Sequence, residues 1–389
     1  MIDEGKKGRS RAKVCLLGLE NLPVLAPQYE KFYFGGEQVQ QTLLARALRR
    51  CGYDVAMVVG DYGQSDGAAW EGIRTYKAFR FDEGIPVFRF LYPRWVKLWA
   101  ALRRADADAY YTSCAGMHVG LLALFCMRYR RGFVFRLASD GDADPAKVMI
   151  RYRRDKILYK YGLCKAHCVL AQHKDQQKNL WLNYGVRSTI ANLFVERPGR
   201  LYPPKEKDID VLWVSNVQPV KRPELVPQLA KLLPHRKFCM VGGSMVGEKH
   251  LFERVKKEAA SISNLAFQGA IPYRDIGKYF DRAKIFINTS DLEGFPNSYL
   301  QSWARGVPVI AFFDPENLMG REKLGVAVKT ITEMKTEIEN LLLDEIRWGD
   351  ISNNAYRYVE ENLNENDVVK VYCKAIEQAR LTVIKSNDQ

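Results

Sequence analysis

One loop in the second half of the chain carries residue types that can bind phosphate groups and the hydroxyl groups of a ligand. The segment 284–313 is predicted to form a strand, a loop, a helix and a second strand, and the loop places Glu293 and Gly294 directly before the helix. A helix start offers unpaired backbone N–H groups and the positive end of its dipole, which suit a phosphate or diphosphate. Asn297 or Ser298 is the expected cap of this helix.

A second polar residue follows at a spacing of eight. Glu293 is expected at the carboxyl edge of a sheet, where open α/β folds bind ligands, and Gln301 lies one turn into the helix. The two side chains can therefore point toward one crevice. This arrangement predicts that the two side chains bind hydroxyl groups at opposite ends of a single ligand.

A glycine pair near the N-terminus precedes a second predicted helix start that could bind an anion. Gly35 and Gly36 precede the segment 37–50, whose apolar residues recur with a 3.6-residue period and predict a helix. The G-x-G-x-x-G dinucleotide fingerprint is absent, which argues against a nicotinamide or flavin enzyme.

Composition limits the class of protein. The chain is 47% hydrophobic and 27% charged, as in soluble globular proteins, and its longest apolar run, 119–127, is far shorter than the ~20 residues of a membrane span. The N-terminus lacks a secretory signal pattern, so we expect a cytoplasmic location. The eight cysteines are predicted to be reduced thiols, and Cys164-x-x-His167-Cys168 lacks the second ligand pair of a zinc site.

The net charge of +14 lies entirely in the first half. Residues 1–200 carry 33 Lys and Arg against 19 Asp and Glu, whereas residues 201–389 carry 26 of each. This asymmetry indicates a polyanionic partner for the first half, either nucleic acid or an anionic membrane surface. Two basic segments stand out. One is an amphipathic stretch, 93–104, which predicts a helix lying on a bilayer or covering a sheet, and the other is a cluster at 151–160.

The elements that must position these residues alternate between strands and helices, which predicts parallel sheets covered by helices. Strands are predicted near 13–18, 55–59, 109–113, 133–138, 168–171 and 189–192, and again near 209–214, 237–241, 264–267, 284–288, 307–312 and 325–328. Helices are predicted near 222–233, 248–260, 273–283 and 297–305, with a helical tail from about 330 to 384.

A proline-rich, charged stretch at 197–208 predicts an interdomain linker. We therefore expect an α/β fold of two Rossmann-like, doubly wound domains facing a central cleft. The N-terminal domain would span 1–200, and the C-terminal domain would span 207–365. A C-terminal helix at 366–389 would pack back on the N-terminal domain.

The segment EGFPNSYL at 293–300, with the following strand GVPVIA, resembles the signature of the family 4 retaining glycosyltransferases, which have the GT-B fold. The resemblance covers nearly the whole chain, and it implies that the N-terminal domain binds the acceptor and the C-terminal domain binds the nucleotide-sugar. The family has a Glu-x7-Glu pattern, whose first Glu contacts the donor sugar and whose second holds the ribose. Glu293 matches the first position, and Gln301, which keeps an oxygen acceptor but not the charge, replaces the second.

The resemblance also implies the residues that bind the donor diphosphate. The segment 211–232 is similar to the family's strand, loop and helix with two basic residues. Lys221 matches the second of them, Asn216 replaces the usual arginine at the first, and Arg222 can supply the missing charge. Cations there would stabilise the negative charge that builds on the leaving diphosphate. The complete set of residues that the resemblance assigns to donor binding, besides catalytic Lys221 and Glu293, is Gly35, Gly36, Asn216, Arg222, Gly294, Phe295, Pro296, Asn297 and Gln301.

The acceptor side is implied by fewer matches. Where relatives place a histidine, this chain has Thr112, Ser113 and Cys114, and His118 follows as a candidate for contact with the acceptor or for a structural role. Asp140 is the candidate for orienting the acceptor hydroxyl or stabilising positive charge at the anomeric carbon. The run 139–144 also contains Asp-x-Asp, the metal motif of the GT-A fold, but the GT-A fold lacks the EGFPN segment, so we expect no metal and no cofactor.

The expected reaction is transfer of a sugar from a nucleotide-sugar, UDP before GDP, to a saccharide or polyprenyl-diphosphate-linked acceptor with retention of configuration. The basic half favours an acceptor at an anionic membrane, with the protein peripheral on the inner face, over nucleic acid, for which no recognised binding module is present. Asn216 and Gln301 leave open an alternative, a nucleotide-sugar-binding protein that does not catalyse transfer.

Overall fold

Short runs of β-branched and aromatic residues form the strands of two sheets. The structure is a computed structural model that describes residues 12–32, 34–85, 88–245 and 247–385. The first sheet contains β1 (Lys13–Leu17), β2 (Asp54–Val59), β3 (Ala69–Trp70), β4 (Ile73–Lys77), β5 (Ala109–Ser113), β6 (Gly132–Arg136), β7 (Cys168–Ala171) and β8 (Thr189–Ile190). Their order is β3-β4-β2-β1-β5-β6-β7-β8, with antiparallel pairing only between β3 and β4 among the described strands.

The second sheet is parallel throughout its described strands. It contains β9 (Ile209–Val214), β10 (Phe238–Val241), β11 (Leu265–Gly269), β12 (Ala283–Asn288), β13 (Val309–Ala311) and β14 (Gly325–Ala327). Their order is β11-β10-β9-β12-β13-β14. The winding direction reverses between β9 and β12, and such a switch point leaves a crevice at the carboxyl ends of the strands.

Helices cover both faces of each sheet, as crossover connections between parallel strands require. Those of the first half are α1 (Leu22–Leu25), α2 (Gly36–Arg50), α3 (Val96–Ala105), α4 (Met117–Tyr129), α5 (Arg153–Lys165) and α6 (Lys174–Tyr184). The second half contributes α7 (Leu225–Leu232), α8 (Lys249–Ala260), α9 (Tyr273–Arg282), α10 (Asn297–Trp303), α11 (Leu318–Glu322), α12 (Ile331–Leu343), α13 (Glu345–Asn362) and α14 (Glu365–Lys385).

The alternation of side chains along a buried strand divides the core of the second sheet between its two faces. Ile285 and Ile287 of β12 pack on one face with Trp213, while Phe286 packs on the other with Trp303. Both faces are therefore apolar, which fixes the register of β12 and the point at which its following loop leaves the sheet.

The chain divides into two compact units that do not follow the midpoint of the sequence. The first contains residues 12–29, Glu37–Asn192 and 366–385 of the described chain, and the second contains Glu30–Gly36 and Leu193–Glu365. The helix α14 thus belongs to the first unit, where the Tyr372 hydroxyl donates to the backbone oxygen of Asn192 at 3.1 Å.

Two local features differ from the sequence expectation. The strands β3 and β4 were not predicted, because Arg74 and Lys77 interrupt the apolar pattern of β4. The helix predicted from 222 begins at Leu225, because a 3-10 turn, Pro219–Lys221, and a left-handed Arg222 (φ +46°) precede it. Within the described residues, no helix combines the length and apolarity that crossing a bilayer requires.

Candidate functional site

The loop after β12 holds a carboxylate that three donors fix in place. Glu293 Oε2 lies 2.5 Å from Lys221 Nζ, and its Oε1 accepts hydrogen bonds from Asn288 Nδ2 at 3.1 Å and from Ser290 Oγ at 2.6 Å. The Ser290 backbone N–H donates to Asn288 Oδ1 at 2.7 Å. The Glu293 side chain is only 11% exposed, so these donors compensate for its desolvation.

Lys221 reaches this carboxylate from the loop after β9, the strand beside β12. Thr289 Oγ1 donates to the Lys221 backbone oxygen at 2.6 Å and accepts from the buried Trp213 indole N–H at 3.0 Å. The Asp291 backbone N–H also donates to the Val220 oxygen at 2.9 Å. The two loops at the switch point are thus joined by backbone and side-chain bonds, and the Lys221–Glu293 pair lies at the carboxyl edge of the sheet.

Arg222, the neighbouring cation, takes a different direction. Its guanidinium pairs with Asp291 Oδ1 at 3.1 Å and lies 5.4 Å from the centre of the Phe312 ring. Both charged side chains are substantially exposed, so solvent weakens this pair. The positive charge closest to Glu293 is accordingly Lys221.

The start of α10 differs from the expected cap. Pro296 occupies the N-cap position, and no side chain caps the helix among the described residues, so neither Asn297 nor Ser298 does so. Asn297 instead donates through Nδ2 to the Gly36 backbone oxygen at 2.7 Å. Phe295 packs edge-on against Trp303 with ring centres 6.2 Å apart, and Gly294 lies in the loop between Glu293 and this ring.

Gln301 lies on α10 without a hydrogen-bond partner for its side-chain amide in the described parts of the chain, while its backbone oxygen accepts from Arg305 Nη1 at 3.3 Å. Its amide is therefore available to a ligand. No hydrogen bond joins it to Glu293 within those same residues.

The glycine-rich segment 30–36 clusters with the second unit and contacts two other predicted donor residues. Asn216 Nδ2 donates to the Phe34 backbone oxygen at 3.1 Å, one residue before Gly35, and Asn297 donates to Gly36. A Cβ atom on Gly36 would come within 2.4 Å of Asn297 Nδ2, so any other residue here would displace this amide. Asn216, where relatives have arginine, thus binds the backbone of this segment.

Asp140, on the first unit, begins a 3-10 turn after β6. Its Oδ1 accepts from Gln176 Nε2 at 2.9 Å and lies 2.8 Å from His173 Nε2. His173 and Gln176 were not predicted from the sequence. The signal that could have indicated them is a polar pair at the start of the helix that follows the neighbouring strand, β7.

Asp142, the second carboxylate of Asp-x-Asp, accepts hydrogen bonds from the backbone. It accepts from the N–H groups of Ala138 and Ser139, at 2.8 and 3.2 Å, and from Ser139 Oγ at 2.9 Å. Burial raises the pKa of Asp142, and these donors oppose that rise. Its oxygens are therefore engaged in holding the turn that carries Asp140.

His118 lies in the first turn of α4, where its Nε2 is 3.1 Å from the Ser113 backbone oxygen. Burial lowers the pKa of His118, so the ring is neutral at neutral pH. In the neutral ring, Nε2–H donates to the Ser113 backbone oxygen and so stabilises the end of β5.

A buried ion pair that the sequence analysis did not identify lies at the same edge of the first sheet. Arg136 Nη1 donates to both oxygens of Glu37, at 3.1 and 3.0 Å, and the Arg136 side chain is 1% exposed. Burial raises the pKa of Glu37, whereas the charge of Arg136 lowers it. Glu37 follows the glycine pair directly, so Arg136 fixes the first turn of α2.

Family comparisons cover both units. A model described as "Glycosyl transferases group 1" matches residues 201–358, and one described as "Glycosyl transferase 4-like domain" matches residues 35–190. Among curated proteins, none matches the chain in sequence.

Similar solved structures share the fold at low identity. Sucrose-phosphate synthase from Thermosynechococcus elongatus has a TM-score of 0.73 at 18% identity, covering 95% of this chain and 99% of that one. The Anabaena HepE protein, in complex with UDP and glucose, has a TM-score of 0.68 at 14% identity, covering 94% and 100%. WaaG, a glycosyltransferase involved in lipopolysaccharide biosynthesis, has a TM-score of 0.65 at 14% identity, covering 93% and 99%. With its two Rossmann-like units and both family matches, the chain belongs to the family 4 type of GT-B glycosyltransferases.

Proposed function

We propose that this glycosyltransferase is a retaining enzyme that transfers a sugar from a nucleotide-sugar, with UDP as the carrier, to a saccharide or lipid-linked saccharide. Similar structures support the substrate classes: HepE is in complex with UDP and glucose, and TarM of S. aureus, which has a TM-score of 0.59, is in complex with UDP and alpha-GlcNAc-glycerol. The involvement of WaaG in lipopolysaccharide biosynthesis supports an acceptor used in surface polysaccharide assembly.

The observation that carries the proposal is the Lys221–Glu293 pair at the switch point of the second sheet. Glu293 is held by its donors in one orientation, as a group that binds sugar hydroxyls in a reactive geometry must be. Lys221 is a partly buried cation, which is the group required to stabilise a departing diphosphate. Gln301, with its amide available, would hold the ribose, and the segment 35–36 would face the donor phosphates.

The proposed step breaks the bond between the anomeric carbon and the diphosphate oxygen, and the bonding electrons leave with the diphosphate toward Lys221. The acceptor hydroxyl oxygen then bonds to the same face of the oxocarbenium-like carbon, and its proton passes to the departing phosphate oxygen. The products are the glycoside and the nucleoside diphosphate, and no separate protein base is needed. Asp140, held by His173 and Gln176, would orient the acceptor hydroxyl.

We also propose that the reaction uses no metal ion and takes place on the cytoplasmic side of a membrane. The engagement of Asp142 with backbone N–H groups supports the first point, because an Asp-x-Asp metal site needs both carboxylates. The charge excess in residues 1–200 supports the second, since it suits an anionic membrane surface.

The test is a panel of nucleotides scored by thermal shift, followed by donor hydrolysis and transfer assays on Lys221→Ala. We expect UDP to raise the melting temperature and the substitution to lower kcat by about a hundredfold or more, because a cation at the leaving group contributes several kcal/mol. Lys231→Ala is the matched control, since Lys231 forms a comparable pair with Glu258 at 2.7 Å on the surface. Equal activity of both variants would remove Lys221 from the mechanism.

One observation supports the alternative, a binding protein that does not catalyse transfer. Asn216 binds the Phe34 backbone in place of the arginine that relatives have, so the site has one cation fewer. UDP binding without any hydrolysis or transfer by the wild-type protein would favour this alternative.

A further inference from the structure

Large apolar side chains are exposed along two segments of the first unit. They are 52–78% exposed and comprise Ile85, Phe88, Leu91, Tyr92 and Val96 among the described residues of the segment 84–97, which are 84–85 and 88–97, and Met149, Tyr152 and Ile157 in the segment 149–157. We call these two segments together the apolar-basic surface. Isolated exposed apolar residues are common, but a concentration of this kind marks an interaction surface.

Contacts between the two segments make them one surface. The Arg154 guanidinium lies 3.6 Å from the centre of the Phe90 ring, and Phe90 packs edge-on against Trp95 at 5.7 Å. Burial, and then the charge of Arg89, lowers the pKa of Arg94, while Asp155 opposes that shift, so Arg94 lies within electrostatic range of both segments. The segments are more than fifty residues apart in the sequence.

The same surface is strongly basic. The two segments contain Arg89, Arg94, Lys97, Arg151, Arg153, Arg154 and Lys156, against the one carboxylate of Asp155. Arg154 pairs with Asp155 at 2.8 Å, and Lys97 pairs with Glu83 outside the surface. Most of the positive charge therefore remains uncompensated beside the exposed apolar side chains.

This surface is not the one that the amphipathic stretch 93–104 suggested. The apolar residues of α3 face the core: Leu98 and Leu102 are fully buried, and Trp99 packs against Phe125 at 5.2 Å. The helix thus covers its sheet; four of the exposed apolar residues precede it, and the fifth, Val96, is its first residue. Of the two alternatives for this stretch, a helix on a bilayer or a helix covering a sheet, the structure agrees with the second.

The apolar-basic surface lies at the carboxyl edge of the first sheet. The segment 84–97 follows β4 and leads into α3, and the segment 149–157 follows β6 and leads into α5, so both lie at the carboxyl end of parallel strands. This is the sheet edge at which Asp140 lies. A membrane docked there would present its headgroups at the ligand-binding edge of the unit.

We propose that the apolar-basic surface docks on an anionic lipid bilayer, with its apolar side chains entering the headgroup region and its cations binding lipid phosphates. The combination fits a bilayer better than nucleic acid, because phosphate backbones do not require exposed aliphatic side chains such as Ile85, Leu91 and Ile157. Docking would bring the site to the lipid-linked acceptor of the proposed function. This biological role rests on the proposed function, whereas the docking itself does not.

The experiment measures flotation of the full chain with vesicles of phosphatidylcholine alone or of an equal mixture with phosphatidylglycerol. We expect binding to the mixed vesicles only, with salt weakening it. Phe88→Ser with Leu91→Ser should lower partitioning by about tenfold or more, because apolar area no longer leaves water. Arg151→Gln with Arg153→Gln should lower the salt-sensitive part of binding.

Matched controls lie outside the surface. Leu343→Ser with Ile346→Ser removes two similarly exposed aliphatic residues from the second unit, and Lys256→Gln with Lys257→Gln removes two exposed cations from α8; both should float as the wild type does. Melting temperatures near that of the wild type show that the variants are folded.

Equal flotation with neutral and anionic vesicles, or equal loss in control and surface variants, would overturn the inference. Binding to a single-stranded oligonucleotide without binding to vesicles would also overturn it. UDP binding and transfer to a soluble saccharide test the proposed function separately, since neither requires a vesicle. Vesicle docking without UDP binding would therefore reject the proposed function and leave docking intact.

Discussion

The Lys221–Glu293 pair shows how two loops bring together the partners of one ion pair. Lys221 is held through its backbone by Thr289, and Glu293 through its side chain by Asn288 and Ser290. Each residue is therefore positioned by neighbours that need not touch a ligand. Such supporting bonds fix catalytic geometry, and their removal should affect activity without removing a charge.

Thr289→Val tests this support. The substitution keeps the size of the side chain, but it removes the bond to the Lys221 oxygen and leaves the buried Trp213 N–H without its acceptor. We expect a loss of about 1–3 kcal/mol in the free energy of unfolding. Activity should fall beyond what stability explains, since the Lys221 backbone is released.

Thr336→Val is the control, because Thr336 makes a comparable bond to the Thr332 oxygen on an exposed helix face. Urea unfolding and donor hydrolysis measure the two effects. An active Thr289→Val variant of normal stability would show that the loop does not depend on this bond.

His118 provides a prediction about pH. Burial lowers its pKa below the ordinary value of 6.5, so the unfolded chain binds a proton there before the folded chain does. Stability is therefore fully present above 6.5 and is lost as the pH falls toward the folded pKa. His167, whose pKa burial also lowers, contributes in the same direction.

We expect His118→Asn to reduce the loss of stability between about pH 7.5 and about pH 5.5, as measured by urea unfolding. The exposed His250→Asn is the control and should leave the slope unchanged. An unaltered slope in His118→Asn would contradict the prediction, because it would mean that folding does not change the pKa of this ring.

At the scale of elements, the segment 30–36 depends on one side chain from the loop after β9 and one from the first turn of α10. Asn216 and Asn297 both donate to its backbone oxygens, and these bonds fix the glycine pair against the start of α10. The asparagine that departs from the family pattern thereby has a structural role.

Gly36→Ala should disturb this arrangement, because the new methyl group would meet Asn297 Nδ2 at 2.4 Å and displace it from the Gly36 oxygen. We expect weaker UDP binding by about tenfold, the effect of losing roughly 1.4 kcal/mol. Gly349→Ala, in α13 with open space at its Cβ, is the control and should stabilise the protein by up to about 1 kcal/mol. Isothermal titration with UDP distinguishes the two, and unchanged affinity in Gly36→Ala would contradict the prediction.

At the scale of the whole molecule, the last helix belongs to the first unit although it follows the second in sequence. Tyr372 of α14 is 2% exposed, bonds to Asn192 and lies 6.2 Å from the ring of Tyr111 in β5. Tyr53 extends the contact through its hydroxyl, 3.1 Å from Glu377. The helix α14 is thereby joined to residues of the first unit that lie far from it in sequence.

Tyr372→Ala should cost about 3–5 kcal/mol, as large-to-small substitutions of buried aromatic residues do. Hydrogen exchange should accelerate in β5 and its neighbours more than in β10 of the second sheet. Tyr202→Ala, at a partly exposed tyrosine of the second unit, should change little. Equal acceleration in both sheets would show that the units unfold together.

The sequence predicted the elements that depend on local pattern. All six strands of the second sheet and the helix at 37–50 were predicted to within about two residues, because buried parallel strands are short apolar runs and surface helices show a 3.6-residue period. The strand β4 was missed because Arg74 and Lys77 hid its alternation.

The sequence by itself determined the chemistry available to this protein: a carboxylate and glycine before one helix, a lysine before another, and an excess of cations in the first half. Tertiary structure alone decided which of these groups meet. Lys221 and Glu293 are 72 residues apart, Glu37 and Arg136 are 99 apart, and Phe90 and Arg154 are on separate crossovers. The local sequence pattern indicates which residues of a helix or strand are buried. The order of the strands in the sheet decides which distant loops lie at the same edge, and therefore which residue pairs with a buried charge.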